Sequence, residues 1–120
     1  MSTISQSRKA LEDVLVAGGL RIVPQGVAAP PSLFVAPGNS WITPSQLAFG
    51  RANVNWVIIG VVSSANDVSI QEIDDLAQLL MIACKALPTG WGQPTIASPG
   101  ILTLGGVSYL AFRAEIEGVI

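Results

Sequence analysis

The 120-residue sequence predicts a single α+β domain over 1–120, a mostly antiparallel sheet of four to five strands with two helices packed on it. Three observations predict this fold class. The segment NVNWVIIGVV (53–62) is apolar on both sides of a strand, which is typical of a central strand covered twice. Two segments carry apolar residues at helical spacing. The C-terminal segment contains two strand-like runs that meet at Gly105-Gly106, a two-glycine hairpin signal.

The first helix is predicted from about Ser5 to Ala17, because SQSRKALEDVLVA repeats apolar residues at intervals of three and four. Gly18-Gly19 follows as a C-terminal stop signal. The polar residues of this segment are expected to face water: Arg8, Lys9, Glu12 and Asp13. After it, LRIVP predicts a short strand that Pro24 ends.

A proline-rich segment follows the first helix. QGVAAPPSLFVAPGNSWITPS contains four of the eight prolines and two short β-like patches, SLFVA and SWIT. Because proline cannot donate a hydrogen bond to a strand ladder, these patches are expected to be edge strands or an extended arm.

The second helix carries a start signal, since Ser69 and Glu72 have the spacing of a capping box and Asp74 and Asp75 add negative charge near its positive end. Pro88 and Gly90 are expected to end it. Its buried stripe is predicted to consist of Ile70, Ile73, Leu76, Ala77, Leu80, Met81, Cys84 and Leu87. In the last strand, alternation predicts one buried side (Leu110, Phe112, Ala114, Ile116) and one wet side (Tyr109, Arg113, Glu115, Glu117).

Composition indicates a protein that covers surface against partners. Hydrophobic residues make up 50% of the chain and charged residues only 12%, against a usual charged share of about 25%. Such a chain folds, but it has little charge with which to coat a small isolated domain. The net charge of −2 and the six scattered basic residues argue against a surface that binds the phosphate backbone of a nucleic acid.

The sequence offers little catalytic chemistry. It has no histidine, which removes Ser-His-Asp and Cys-His systems and the commonest transition-metal ligand. Cys84 is the single cysteine, so no intrachain disulfide forms, and its place on the apolar side of a helix predicts a small core residue. No phosphate-binding loop and no nucleophile elbow occurs. We therefore expect no catalytic, cofactor-binding or metal-binding residues.

Two acidic groups and one glycine motif fit structural roles better than binding sites. Glu72 with Asp74-Asp75 fits a helix start better than a cation site, and Glu115 with Glu117 fits a solvated strand edge better than a carboxylate pair. GWGQP (90–94) follows a helix and does not open one, so it fails as a nucleotide loop.

Aromatic residues in proline- and glycine-rich segments are candidates for partner contacts, because tryptophan is enriched in protein interfaces. Trp56, in the central strand, is expected in the core. The candidate contact regions are the arm from Pro30 to Pro44, the loop from Pro88 to Gly100 and the exposed side of the last strand. The individual interface candidates are Phe34, Trp41, Phe49, Arg51, Trp91, Tyr109 and Arg113.

The order of these segments resembles the small tail-terminator proteins of long-tailed bacteriophages. The resemblance rests on an amphipathic first helix, PPSLFVAPGNSWITP, the strand NVNWVIIGVV, the helix SIQEIDDLAQLLMIACKAL and a closing hairpin. It covers nearly the whole chain as a pattern and includes no diagnostic short motif.

The resemblance implies a structural role without a cofactor. Such proteins form a ring, usually of six copies, on the head-proximal end of the tail tube, where the ring ends tube polymerisation and presents a surface to the head connector. The implied partners are other copies of the chain, the tail tube protein and the connector, while DNA passes through the lumen without specific binding. The implied location is the virion tail or neck after assembly in the host cytoplasm, with no membrane association. The alternatives are a head-completion or connector protein of the neck and, in a different class, a small-ligand binding module.

Overall fold

The computed structural model describes residues 4–24, 31–44, 51–62 and 67–120, with the side chains of 67–69 left aside. Its elements are two helices and five strands: α1 Ile4–Ala17, β1 Ser32–Pro44, β2 Ala52–Val62, α2 Asp67–Cys84, β3 Thr95–Ile96, β4 Gly100–Leu104 and β5 Val107–Val119. The predicted α+β domain is confirmed.

The sheet is antiparallel and β2 is central, as its two apolar sides predict. The strand order is β1-β2-β5, and β3 and β4 follow one another along the far edge of β5. In β2, Trp56 and Ile58 are buried on the helix side, and Val57 and Val61 are buried on the other side. LRIVP forms only a single parallel bridge, in which Ile22 pairs with Leu33 at the outer edge of β1.

The main core lies between the two helices and one side of the sheet. Leu11 and Leu15 of α1, Leu80 of α2 and Trp56 and Ile58 of β2 have 0–1% of their surface exposed. A smaller cluster around Phe34, Val61 and Ala111 lies on the opposite side of the sheet, packed by half-buried residues that include Val23, Leu102 and Tyr109.

α1 ends at the predicted glycines through a Schellman motif. Leu20 N–H donates to Leu15 O and Gly19 N–H donates to Val16 O, while Gly19 takes a φ of 90°. Gly18 is required for a different reason: a Cβ there would lie 2.6 Å from the Ala83 Cβ. The two helices therefore pack closely at this point.

α2 differs from the prediction at its start. It begins at Asp67, so Ser69 lies inside the first turn and not at the N-cap, and Asp74 and Asp75 lie beyond the first turn, where the dipole effect has faded. The helix ends at Cys84, and three successive i→i−3 hydrogen bonds continue the turn to Leu87 before Pro88.

The predicted buried stripe of α2 is wrong at two positions. Ile70 and Met81 are 58% and 54% exposed, because the sheet and α1 cover a narrower arc of the helix than the predicted stripe requires. Ala83, which the stripe omitted, is buried. In α1, Arg8 is half-buried and lies over the Trp56 ring, 4.8 Å from its centroid, where the sequence predicts a fully water-facing side chain.

The closing hairpin follows the prediction. Gly105 and Gly106 take φ of 57° and 80°, the left-handed values that a type I′ turn requires. In β5, Phe112, Ala114 and Ile116 are buried and Arg113, Glu115 and Glu117 are exposed. The region before the hairpin forms two short strands where one was expected, since Ala97–Pro99 interrupts the pairing between β3 and β4.

Candidate interaction surfaces

A large bulge in β1 determines where Trp41 lies. Pro37 pairs with Trp56 and Ile42 with Val54, so Gly38 to Trp41 face a single residue of β2. Ser40 adopts a positive φ of 60°, and the side-chain amide of Asn55 donates a 2.6 Å hydrogen bond to the Ser40 carbonyl oxygen. Asn55 of β2 thus holds the bulge in place, and the bulge turns Trp41 toward the helix side of the sheet.

There Trp41 packs its ring against Trp56, with centroids 6.1 Å apart and planes at 70°, an edge-to-face arrangement. Trp56 in turn donates its ring N–H to the Ser7 hydroxyl over 3.4 Å. Trp41 remains 40% exposed and Ile42 42% exposed. We call Trp41 and Ile42 the knob; Arg8 and Lys9 lie beside it, together with Glu12.

The charges beside the knob are not neutralised equally. Lys9 Nζ lies 3.2 Å from Asp13 on the exposed side of α1, a pair that contributes little to stability. Within the part of the chain that the structure describes, no carboxylate pairs with Arg8. Its guanidinium lies over the Trp56 ring, in a pocket that Glu12 also lines.

A groove of about 480 Å³ runs between α2 and the chain that leaves α1. Leu20 and Leu76 form its buried floor, and Leu79, 42% exposed, forms one wall. Glu72 and Asp75 stand along the α2 side, while Arg21 stands opposite. We call this the α2 groove. It is an apolar channel whose α2 side is acidic.

A second, polar groove of about 330 Å³ crosses the side of the sheet away from the helices. Its lining includes Asn55 and Val57 of β2, Glu115 and Glu117 of β5, and Thr95 of β3. Arg113 lies on the same side of β5, with its guanidinium 3.6 Å from Glu115. Glu115 and Glu117 are exposed and give the groove an acidic side.

The other interface candidates are differently placed. Phe34 is only 6% exposed in the smaller cluster. Truncating it should therefore destabilise the fold, and its side chain is not available to contact a partner. Trp91 packs its ring against Gly118, where a Cβ would lie 2.9 Å from Trp91 Cε3. Tyr109 is half-buried beside Phe34's cluster. Phe49 lies outside the described residues.

Arg51 and Arg113 are exposed, as an interface role requires. Arg51 Nε donates a 3.0 Å hydrogen bond to the carbonyl oxygen of Ile120, which joins the start of β2 to the end of the chain. Of the candidates, the structure thus leaves Trp41, Arg51 and Arg113 accessible, and brings none of them together at one site.

Chemically reactive groups add no site. Burial raises the pKa of the Cys84 thiol to about 11, which keeps it protonated at neutral pH. Among the described residues, no three Cys, Asp or Glu side chains lie close enough together to hold a metal ion. No described helix is long and apolar enough to cross a bilayer.

The sequence pointed to the knob but not to the α2 groove. α2 has more apolar residues than one buried face can take, and Leu79 and Ile82 fall outside the stripe. That surplus of apolar residues was the sequence signal for further apolar surface on α2. Leu20 could not be connected with α2 from the sequence, since only the Schellman motif brings it there.

No protein-family model matches the chain, and no curated protein matches it.

Proposed function

We propose that this chain is a structural protein of a long-tailed bacteriophage that caps the head-proximal end of the tail tube as a ring. The observation that supports this most is apolar surface left open on a well-packed fold. Side chains of this kind, each at least 40% exposed, occur on α1, β1, α2 and the hairpin: Val16, Trp41, Ile42, Ile70, Leu79, Met81, Ile82, Ile101 and Val107. Four of these side chains, Ile70, Leu79, Met81 and Ile82, lie on α2, and we take them as surface that a partner covers.

The shape and charge of the chain suit a ring subunit. The body is elongated, 48 × 26 × 22 Å, and the hairpin turn and the end of β1 lie at opposite ends of the sheet. Each end can therefore meet a different neighbour. The net charge of −2 suits a channel in which DNA moves without binding. In this proposal the protein works in the virion neck by complementary surfaces and not by catalysis.

Electron microscopy of lysates from a phage with this gene disabled tests the proposal. Overlong tail tubes beside intact, DNA-filled heads are the expected result, because nothing would end polymerisation. Supplying the wild-type gene in trans should restore normal length, which is the control. Tails of normal length lying unattached to heads would replace the proposal with its nearest alternative, a head-completion or connector protein.

A small-ligand binding module is the second candidate, and the polar groove with Glu115 and Glu117 is the observation that favours it. Its size lies within the range of about 300–1,000 Å³ seen for ligand sites. Thermal melts with a polyamine such as spermidine test it. A rise in the melting temperature that Glu117→Gln abolishes would favour this function, whereas no rise would leave the groove as solvated surface.

A further inference from the structure

The outer edge of β4 is an open row of backbone groups. Leu104 pairs with Val107 across the two-residue turn, so Leu104 and Leu102 exchange their backbone hydrogen bonds with β5. Ile101 and Thr103 then point their N–H and C=O groups away from β5, and both residues are exposed. Among the described strands, none pairs with β4 on that side.

A hydrogen bond further along the same edge of β5 agrees with this alternation. Ala97 N–H donates to the Arg113 carbonyl oxygen over 2.8 Å. Odd-numbered residues of β5 thus turn their backbone groups to this edge, and Tyr109, the partner of Leu102, is one of them.

The opposite edge of the sheet is guarded. At the outer edge of β1, Leu33 already exchanges hydrogen bonds with Arg21 and Val23. Backbone groups alternate along a strand, so Val35 and Pro37 are the next residues to point outward. Pro37 has no N–H to donate, and the bulge follows it.

β4 carries none of these guards. Its sequence, GILTL, contains no charged residue and no proline, and its pairing with β5 runs without a bulge. Ile101 is 63% exposed. An open, uncharged edge of this kind accepts a further strand, whose backbone supplies the missing hydrogen bonds.

The open row matches a second copy of itself. Pro99, which has no N–H, lies three residues before Leu102, and Gly105, where the turn begins, lies three residues after it. When two β4 strands meet antiparallel with Leu102 opposite Leu102, both rows end together. Ile101 of each copy then lies opposite Thr103 of the other and exchanges its outward hydrogen bonds with it. No charges meet, and the facing side chains are apolar or β-branched, which stabilises antiparallel pairs.

We infer that two copies of this chain join through β4, antiparallel and with Leu102 opposite Leu102, so that their two sheets become one. The contact is two-fold and closes at two copies, because the same surface is used on both sides. The joined sheet ends on either side in the guarded edge of β1. This contact goes beyond the proposed ring and does not depend on it, since a ring needs contacts between different surfaces.

Disulfide cross-linking tests the register. In a pair without hydrogen bonds between its two residues the Cα atoms lie about 4.5 Å apart, which a disulfide spans. Leu102→Cys alone should therefore give, under oxidising conditions, a band at twice the 12.5 kDa chain mass. Val107→Cys is the matched control: it lies on the same side of the sheet and is more exposed, but one strand in from the edge. The native Cys84 is buried.

Random collisions would favour the more exposed thiol, so a yield several times higher for Leu102→Cys than for Val107→Cys supports the inference. Equal yields, or a higher yield for Val107→Cys, overturn it. Self-cross-linking of Ile101→Cys or Thr103→Cys above that of Leu102→Cys overturns it as well, because neither residue faces its own copy in this register.

Sedimentation equilibrium tests the contact without a new thiol. The wild-type chain should associate to twice its mass with rising concentration, and Ile101→Lys should stay monomeric with a similar melting temperature, because a lysine guards the edge and the replaced side chain is exposed. Val107→Lys should associate like the wild type. A wild-type monomer at the highest soluble concentration overturns the inference and leaves β4 to a strand of another protein, and a dimer that Ile101→Lys preserves overturns it in favour of another surface.

Discussion

Replacing Gly60 with alanine tests how tightly the side chains of the two neighbouring strands pack over β2. Gly60 lies in β2 between Leu33 of β1 and Phe112 of β5. A Cβ at this position would lie 2.5 Å from Phe112 Cε2 and 3.0 Å from Leu33 Cδ2, whereas carbon atoms pack at about 3.5–4.0 Å. Phe112 is 2% exposed and cannot move into solvent.

The expected cost follows from two opposing effects. Overpacking a core by one methyl group costs about 1–3 kcal/mol. Alanine also restricts the unfolded chain, which returns about 0.4–1 kcal/mol. We expect Gly60→Ala to lower the free energy of unfolding by roughly 1–2 kcal/mol, or the melting temperature by roughly 4–8 °C. Urea denaturation followed by circular dichroism measures the first quantity directly.

Gly118→Ala is the matched control. Its Cβ would lie 2.9 Å from the Trp91 ring, but Trp91 is only half-buried and can tilt outward, so the cost should stay under about 1 kcal/mol. Replacing the ring by a smaller side chain in Phe112→Leu should reduce the loss in free energy of unfolding that Gly60→Ala causes. Equal losses for the two glycine variants, or strict additivity with Phe112→Leu, would refute the packing argument.

The remaining predictions concern the knob, the thiol and the hairpin. Trp41→Ala should lower the free energy of unfolding by only about 1 kcal/mol, because only the edge contact with Trp56 is lost, and it should impair assembly more than folding. Ile58→Ala is the core control, with an expected loss of about 2–5 kcal/mol. A melting temperature of Trp41→Ala as low as that of Ile58→Ala would contradict the prediction. Burial raises the pKa of Cys84 to about 11 from 9.0. Between pH 9 and pH 11 the thiol therefore ionises in the unfolded chain but stays protonated in the folded one. We expect the free energy of unfolding to be unaffected by this group below pH 9 and to fall by up to roughly 2–3 kcal/mol as the pH rises to 11. Cys84→Ala should flatten that part of a stability–pH curve, and an unchanged slope would show that other groups cause it. Gly105→Asn should leave the melting temperature nearly unchanged, whereas Gly105→Val should lower the free energy of unfolding by about 1–2 kcal/mol, because valine resists the left-handed φ of 57°; equal melts for the two variants would argue against the type I′ turn.

The sequence predicted those elements whose cause is local. Gly105-Gly106 needs only its own two residues to form the turn, and the helix stop at Gly19 needs only the helix before it. The central position of β2 could be predicted because both of its sides are apolar, which is typical of a strand inside a sheet that is covered on both faces.

Features that depend on distant residues escaped prediction. PGNS after SLFVA reads as a loop between two patches, and only the pairing with Asn55 turns it into a bulge inside one strand. Trp91 is held by a glycine that follows it by more than 20 residues in the chain. The sites depend on the same distant pairings, which is why Trp41 was identifiable as a residue but its position over Trp56 was not.

Pro37 has a consequence for the outer edge of the sheet. An outer strand with a continuous row of unpaired backbone donors is a template on which another chain can pair. The missing N–H of Pro37 and the bulge behind it shorten that row to the groups of Val35. The outer edge of β1 is therefore a poor template for a strand of a second copy.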